Sequence, residues 1–320
     1  MKTPNFWNSK NFVSNLLLPL SFIYGFLRFL DVFFSKEYKS NNLKIICIGN
    51  ITAGGNGKTP VAIEIGKILR ENNIHFAYLS KGYKGRIKNF TKVDLTKHSP
   101  IDVGDEPLIL AKYNDTFICK NRKEALMKLS ENYDYKYIIM DDGFQNPTIF
   151  KDKSIVVVDG KNGIGNGRLL PSGALRETIS SAIKRASFFI IVNKDETNFF
   201  EKIDNKKEII NASIQEENKN FGKDRYIAFC GLGKPQKFFD SLKKANYNVI
   251  KEIVFEDHYY YKDKDLKQIL DIAEKNNAKV ITTEKDFVKL PNNYKGKVEI
   301  LKINVMFENK DRLKELLLND

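Results

Sequence analysis

The stretch that most constrains this chain is GNITAGGNGKTP, residues 49–60. Ahead of it, residues 43–48 form a nearly continuous apolar run containing Ile45, Ile46 and Ile48, as expected for a parallel strand covered on both faces. Behind it, Val61, Ala62, Ile65, Ile68 and Leu69 recur at helical spacing, and Pro60 falls in the first turn, where no amide hydrogen is needed. Strand, glycine loop and helix in that order are the setting of a phosphate-binding loop. The amides of Gly55, Asn56, Gly57 and Lys58 then converge on phosphates at a helix N-terminus, the Lys58 ammonium reaches the terminal phosphates, and the Thr59 hydroxyl is placed for Mg²⁺. Thr52 departs from the pattern, standing where the first glycine of G-x-x-x-x-G-K-[ST] belongs. The glycines nearest the phosphate, Gly54, Gly55 and Gly57, are all present, so Thr52, Ala53, Gly54, Gly55, Asn56, Gly57, Lys58 and Thr59 are the expected ATP-binding segment. A related ATPase loop carries lysine directly before its glycine pair; Ala53 at that position argues against that group.

Such a loop works with a carboxylate at the end of a neighbouring strand. Residues 137–142, YIIMDD, supply one in Asp141, placed to hold Mg²⁺ directly or through water. Residues 104–107, GDEP, set two carboxylates side by side. Phosphoryl transfer to an alcohol needs a group that accepts the hydroxyl proton, although the same spacing suits a helix N-cap with a first-turn Glu. His258 follows an acid in EDHY, after the apolar run 249–255, and spacing alone gives it no role. GKNGIGNGRLLPSGALRE, residues 160–177, follows the strand-like run SIVVV and puts Arg168 and Arg176 where phosphate could be clamped. SKGYKGR, with Lys81, Tyr83, Lys84 and Arg86, reads equally as a ligand loop or as plain surface.

The N-terminal residues 12–34, FVSNLLLPLSFIYGFLRFLDVFF, would as one helix match the thickness of a bilayer core. Asn15, Pro19, Arg28 and Asp31 interrupt them, and a central charge costs about 3 kcal/mol to insert, so spanning is not expected. Ser14, Ser21, Gly25, Arg28 and Ser35 fall on one narrow stripe of an otherwise apolar cylinder, a pattern that suits a helix lying in the membrane interface; the alternative is a helix packed wholly against its own protein. Trp7, just ahead, is placed for the headgroup level. No basic region with a small-residue cleavage site suggests a removed signal peptide.

A net charge of +13 favours an acidic partner: nucleic acid, an anionic lipid surface or a phosphorylated substrate. Nucleic acid ranks last, since zinc-finger spacing, an aromatic RNA-binding signature and a concentrated basic run are all missing from the sequence. Cys47, Cys119 and Cys230, far apart and without metal-type spacing, fit reduced thiols in a cytosolic setting.

Taken together, GNITAGGNGKTP, SKGYKG, GDEP, DDGFQ, VVVDG with GNGRLLPSGALRE, EDH and TTEKD resemble, in this order, the tetraacyldisaccharide 4'-kinases of lipid A biosynthesis; they cover residues 45 to 290. That family's loop also lacks the first glycine. The resemblance implies transfer of the γ-phosphate of ATP to the 4'-hydroxyl of a tetraacylated disaccharide 1-phosphate, at the cytoplasmic face of the inner membrane. It implies ATP and Mg²⁺ as cofactors, the lipid disaccharide and an anionic membrane surface as partners, no nucleic acid, and a monomer held peripherally. Carried over by motif, Asp105 is the proton acceptor, His258 its dyad partner, Lys58 a catalytic phosphate contact and Arg176 the stabiliser of the moving phosphoryl group, while Thr59, Glu106 and Asp141 manage Mg²⁺. Phe144, Asn146, Ala174 and Glu256 differ from the commoner family residues, which puts local loop shape in question rather than chemistry.

The expected fold is α/β: a P-loop-like doubly wound parallel sheet with a smaller second α/β domain and an N-terminal amphipathic membrane helix. The expected division is 1–36 for the helix, 37–222 for the kinase core and 223–320 for the smaller domain, with the charge-rich stretch 205–224 as boundary. Asp105 and His258 would then lie in different units, and their pairing would require closure. The rival reading is a P-loop ATPase driving a membrane-associated partner, which would turn over without lipid.

Overall fold

The computed structural model describes residues 4–54, 57–203, 207–217 and 224–319. Among them run β1 (Lys44–Gly49), β2 (Phe76–Ser80), β3 (Thr91–Lys92), β4 (Thr116–Ile118), β5 (Tyr137–Asp141), β6 (Lys153–Asp159), β7 (Phe188–Val192), β8 (Ile209–Glu216), β9 (Arg225–Cys230), β10 (Asn248–Val254), β11 (Ala278–Thr283), β12 (Glu299–Leu301) and β13 (Ile303–Phe307). The helices that bear on the site are α1 (Phe12–Leu16), α2 (Leu18–Phe34) and α3 (Lys58–Glu71), with others named by their residues.

Nine strands form one sheet in the order β13-β8-β7-β6-β1-β5-β2-β4-β3, parallel except at its two antiparallel edges, β3 on β4 and β13 on β8. Central β1 sends Ile46 and Ile48 into the core on one face and Ile45 and Cys47 into the core on the other. Cover on both faces is why this run reads as continuously apolar. On the first face α3 buries Val61, Ile65, Ile68 and Leu69. It lies so close to β2 that a Cβ on Gly66 would fall 2.0 Å from the Tyr78 hydroxyl.

The other four strands make a parallel sheet ordered β10-β9-β11-β12, and β9 divides its side chains between two cores in the same way, Ile227 and Phe229 against Tyr226, Ala228 and Cys230. The apolar run 298–304 breaks at Lys302. β12 stays with the small sheet, while β13 crosses to the edge of the large one. The helix Lys310–Leu318 then buries Leu313 and Leu317 in the large sheet's core. The expected unit 223–320 is therefore not contiguous: from 303 onward the chain belongs with the large sheet. The partner of β13 is β8, hidden inside the stretch expected as a boundary because its exposed positions are polar.

Residues 12–34 are helical but not one helix. A reciprocal Asn11–Ser14 capping box opens α1, and α2 begins at Leu18 with Pro19 in its first turn. The small-residue stripe turns inward onto the loop 166–176. Ser21 Oγ donates to the Leu169 carbonyl (2.8 Å), Ser172 N donates to Ser21 Oγ (3.1 Å), and Ser172 Oγ donates to the Ser14 carbonyl (2.5 Å). Gly25 presses on Leu169, where a Cβ would come within 2.9 Å of Cδ1. The apolar face points away from the protein, with Phe12, Phe22, Phe26, Phe29, Phe33 and Phe34 each 60% or more exposed. A helix packed wholly against its own protein is ruled out, and the pattern is the reverse of a soluble surface helix. Trp7 is anchored inward, its Nε1 donating to the Pro171 carbonyl at 2.9 Å. Among the described residues no helix is long and apolar enough to cross a membrane. Cys47, Cys119 and Cys230 are buried free thiols.

Candidate active site

The described part of the phosphate loop accounts for Thr52. Arg176 N donates to the Ile51 carbonyl (2.7 Å), Ala53 N donates to the Ala174 carbonyl (2.8 Å), and Thr52 bridges Leu175 in antiparallel fashion. Thr52 is thus buried in an extended pairing, which a β-branched residue adopts well, and the same pairing carries Arg176 to the loop. Backbone that calls for glycine comes later, at Gly54 (φ 117°) and Gly57 (φ 80°). The expected contacts of Gly55 and Asn56 lie outside the described residues.

Lys58 and Thr59 open α3 and face the end of β5. Thr59 Oγ1 donates to Asp141 Oδ2 at 3.2 Å. Lys58 Nζ lies 3.5 Å from Asp142 Oδ1, and Arg176 Nη1 lies 3.3 Å from the same oxygen. Asp141 is buried and its Oδ1 has no hydrogen-bond partner. Burial above all, then the nearby Glu106 charge, pushes its carboxyl up to about 7 against the pull of Lys58. An anion so poorly compensated marks a place that suits a cation. Among the described residues no group of three or more His, Cys, Asp or Glu side chains could hold a metal by itself. Two carboxylates and a hydroxyl are nevertheless a usual protein share for Mg²⁺, which takes its other oxygens from phosphate and water. Burial also raises Asp142, but Lys58, Arg176 and Arg122 outweigh it and hold this carboxyl below its ordinary value.

Asp105 begins the helix Asp105–Ala111, and Gly104 before it has φ 90° and leaves a hypothetical Cβ only 2.5 Å from the Tyr83 carbonyl, so GDEP and SKGYKG lock together through a position only glycine fills. His258 stands in the turn after β10 with φ 60°, its amide donating to the Gly231 carbonyl. Its Nδ1 is 2.9 Å from Asp105 Oδ2, so the pair is assembled here without the closure its separation in sequence suggested. Lys285, from the short helix Glu284–Phe287 that follows β11, lies 3.8 Å from Asp105, 3.6 Å from Glu106 and 3.4 Å from His258 Nε2. At Nε2 the Lys285 ammonium and, at 3.8 Å, Asp257 Oδ1 both approach the ring, while the Nδ1–Oδ2 contact is close but not aligned as a hydrogen bond. Burial raises Asp105, yet the close approach of His258 and the Lys285 charge bring its carboxyl down to about 2.

Lys58, Thr59, Glu106, Asp141, Arg176, Asp105 and His258 therefore line one edge of the large sheet. Arg168 does not join them: its Nη1 donates to Ser14 Oγ at 2.9 Å and holds α1. Four contributors were not singled out from sequence. Asp142 couples Lys58 to Arg176, and the doublet Asp141-Asp142 was the available sign. Lys285 sat unassigned in TTEKD. Buried Arg122 donates to the carbonyls of Asp141 (3.2 Å) and Asp142 (2.9 Å). The Gln145 side chain accepts from Arg176 Nη1 (3.3 Å) and donates to the Asn50 carbonyl (2.6 Å) and to Glu177 (3.1 Å). Three of the four departures from family residues are absorbed locally: Phe144 packs under Arg185 (4.3 Å to the ring), Asn146 accepts from Thr148 N, and Ala174 offers its carbonyl to the loop.

A phosphate loop, an acid-tipped neighbouring strand and a carboxylate–imidazole pair on one sheet edge define a P-loop phosphotransferase. Comparison with known proteins is more specific: the family model for tetraacyldisaccharide-1-P 4'-kinase, LpxK, matches residues 13–320. The chain belongs to that family. It is 36% identical over 315 residues to a tetraacyldisaccharide 4'-kinase of Rhodospirillum rubrum, covering 96% of this chain and 94% of the relative. With the enzyme of that name from Rickettsia canadensis it shares 37% identity over 316 residues, covering 98% and 95%. A crystal structure of LpxK from Aquifex aeolicus in complex with ATP superposes with a TM-score of 0.78 at 28% identity, covering 95% of this chain and 98% of that one.

Proposed function

We propose that this chain moves the γ-phosphoryl group of ATP onto the 4'-hydroxyl of a tetraacyldisaccharide 1-phosphate, the product being the bisphosphorylated lipid of lipid A assembly. The observation that carries the reading is the Asp105–His258 pair at 2.9 Å on the same edge as Lys58, Asp141 and Arg176. An ATPase acting on water has less use for a buried, oriented base of this kind.

In the reaction the 4'-oxygen forms a bond to the γ-phosphorus, the bond from that phosphorus to the β,γ-bridging oxygen breaks, and the hydroxyl proton passes to the Asp105 carboxylate. His258, held by Lys285, keeps that carboxylate aimed. Lys58 and Arg176, drawn together through Asp142, supply positive charge where negative charge spreads over the transferring group. Asp142 would release Lys58 to the phosphates when nucleotide enters. Thr59, Asp141 and Glu106 would hold Mg²⁺, which when bound neutralises charge on the β- and γ-phosphates.

The exposed aromatic face of α1 and α2 supports a peripheral, in-plane seat on the cytoplasmic face of the inner membrane, where such a substrate resides, with the positive net charge favouring anionic headgroups. We further propose that the four-stranded sheet acts as a second domain, delivering His258 and Lys285 to the large sheet, and that the protein works as a monomer without nucleic acid. The test is incubation with γ-labelled ATP, Mg²⁺ and the acylated disaccharide phosphate. Label in the lipid is expected; lipid-independent release of inorganic phosphate alone would favour the ATPase reading.

A further inference from the structure

The charge that breaks the apolar helix has a partner in the site. Arg28 is only 16% exposed, salt-bridged to Asp31 at 2.5 Å, and its Nη2 donates to the backbone carbonyl of Gln145. One turn earlier the Tyr24 hydroxyl donates to the backbone carbonyl of Arg176 at 3.0 Å. Both acceptors belong to residues of the phosphoryl-handling cluster. Gln145 is the junction: its side chain meets Arg176 Nη1, the Asn50 carbonyl and Glu177, while Asn50 Nδ2 donates to the Thr52 carbonyl (2.7 Å) in the phosphate loop. An unbroken chain of contacts runs from α2 through Gln145 and Arg176 to Asp142 and Lys58.

We infer that Tyr24 and Arg28 are positioning residues, through which the seating of α2 sets where Gln145 and Arg176 stand and hence the rate of phosphoryl transfer, as distinct from lipid attachment. The physical reason is that Arg176 is carried on an irregular loop, with its own amide tied to the Ile51 carbonyl of the phosphate loop and its own carbonyl tied to this helix through Tyr24. A guanidinium displaced by about 1 Å from a developing charge forfeits up to ~100-fold in rate. Keeping an arginine within an apolar helix is otherwise unfavourable, and its head is turned away from the exposed aromatic face.

The inference rests on the kinase reading, and the test separates the two. Tyr24→Phe removes one hydroxyl from a partly buried ring and leaves its packing; Arg28→Ala removes the second tie, and Arg28→Lys keeps a cationic donor. With γ-labelled ATP and the acylated disaccharide phosphate, kcat is expected to fall about threefold for Tyr24→Phe and about tenfold for Arg28→Ala, with partial recovery in Arg28→Lys and with KM for ATP and vesicle binding unchanged. In an Arg176→Ala background Tyr24→Phe should have no further effect, because its route is already cut; an additive loss there would overturn the inference. Hydrogen exchange of residues 142–147 and 174–178, measured without substrate, should accelerate in Tyr24→Phe/Arg28→Ala. Faster exchange in a protein whose wild type labels no lipid would uphold the positioning and refute the kinase reading. Unchanged exchange, or unchanged kcat in an active enzyme, would refute the positioning.

Discussion

Replacing Phe22 and Phe33 together with serine tests whether the outward face of α2 is a lipid seat. The two rings are 75% and 68% exposed. With ~200 Å² of apolar surface per phenylalanine they offer about 290 Å² to a membrane. At ~25 cal/mol per Å², complete transfer into hydrocarbon would be worth about 7 kcal/mol. A helix lying in the boundary buries about half of that, leaving about 3.5 kcal/mol, or a few hundredfold in the partition coefficient. Flotation with vesicles containing anionic phospholipid measures this directly. Both rings already face away from the protein, so the thermal midpoint should barely move. Point substitution is a sharper test than deleting residues 1–36, because deletion also removes the contacts of Ser14, Ser21 and Tyr24 with the loop 166–176 and of Arg28 with the Gln145 carbonyl. Partition within threefold of wild type, in a protein of unchanged stability, would refute the argument and place the lipid contact elsewhere.

Lys58→Ala should lower kcat by at least a hundredfold, on the order of 3 kcal/mol, since its charge counts most in the transition state; steady-state transfer assays check this, and near-normal turnover would remove Lys58 from the chemistry. Asp105→Asn should cut transfer by ~100-fold or more while equilibrium ATP binding stays within about twofold, and a defect confined to binding would count against a proton acceptor. The same carboxyl, held down to about 2 from an ordinary 3.8, contributes stability that is complete above about pH 4 and lost as pH falls through about 2. Its worth is about 2 kcal/mol, so urea midpoints at pH 5 and pH 2.5 should diverge less in Asp105→Asn than in wild type. Gly66→Ala, which in an open helix would gain up to ~1 kcal/mol, should instead cost ~1–3 kcal/mol, because the new methyl meets the Tyr78 hydroxyl at 2.0 Å; Tyr78→Phe should recover part of the lost thermal midpoint.

The local features of this chain were legible wherever one stretch of sequence determined them. β1, the phosphate loop and α3 follow from adjacent residues, and so does the acid at the end of β5. Pairings across long separations were not legible from periodicity: Asp105 with His258 came from the order of motifs, Asp142 with Lys58 and Arg176 was missed, and the swing of β13 to the large sheet depends on a partner strand nearly ninety residues earlier. The N-terminal stripe is the instructive case. Helical spacing correctly grouped Ser14, Ser21, Gly25 and Arg28, but a stripe tells which face differs, not what that face meets. The residue types held the missing information. A face turned to water beside a membrane gains from lysines and glutamates, whereas serine and glycine let another backbone approach, and here the loop 166–176 takes that place. The lone arginine among them then has to find an acceptor in the protein, and the carbonyl of Gln145 lies within the site. Read by size and polarity as well as by period, the stripe points inward, and the helix proposed to face lipid on one side touches the proposed phosphoryl-handling residues on the other.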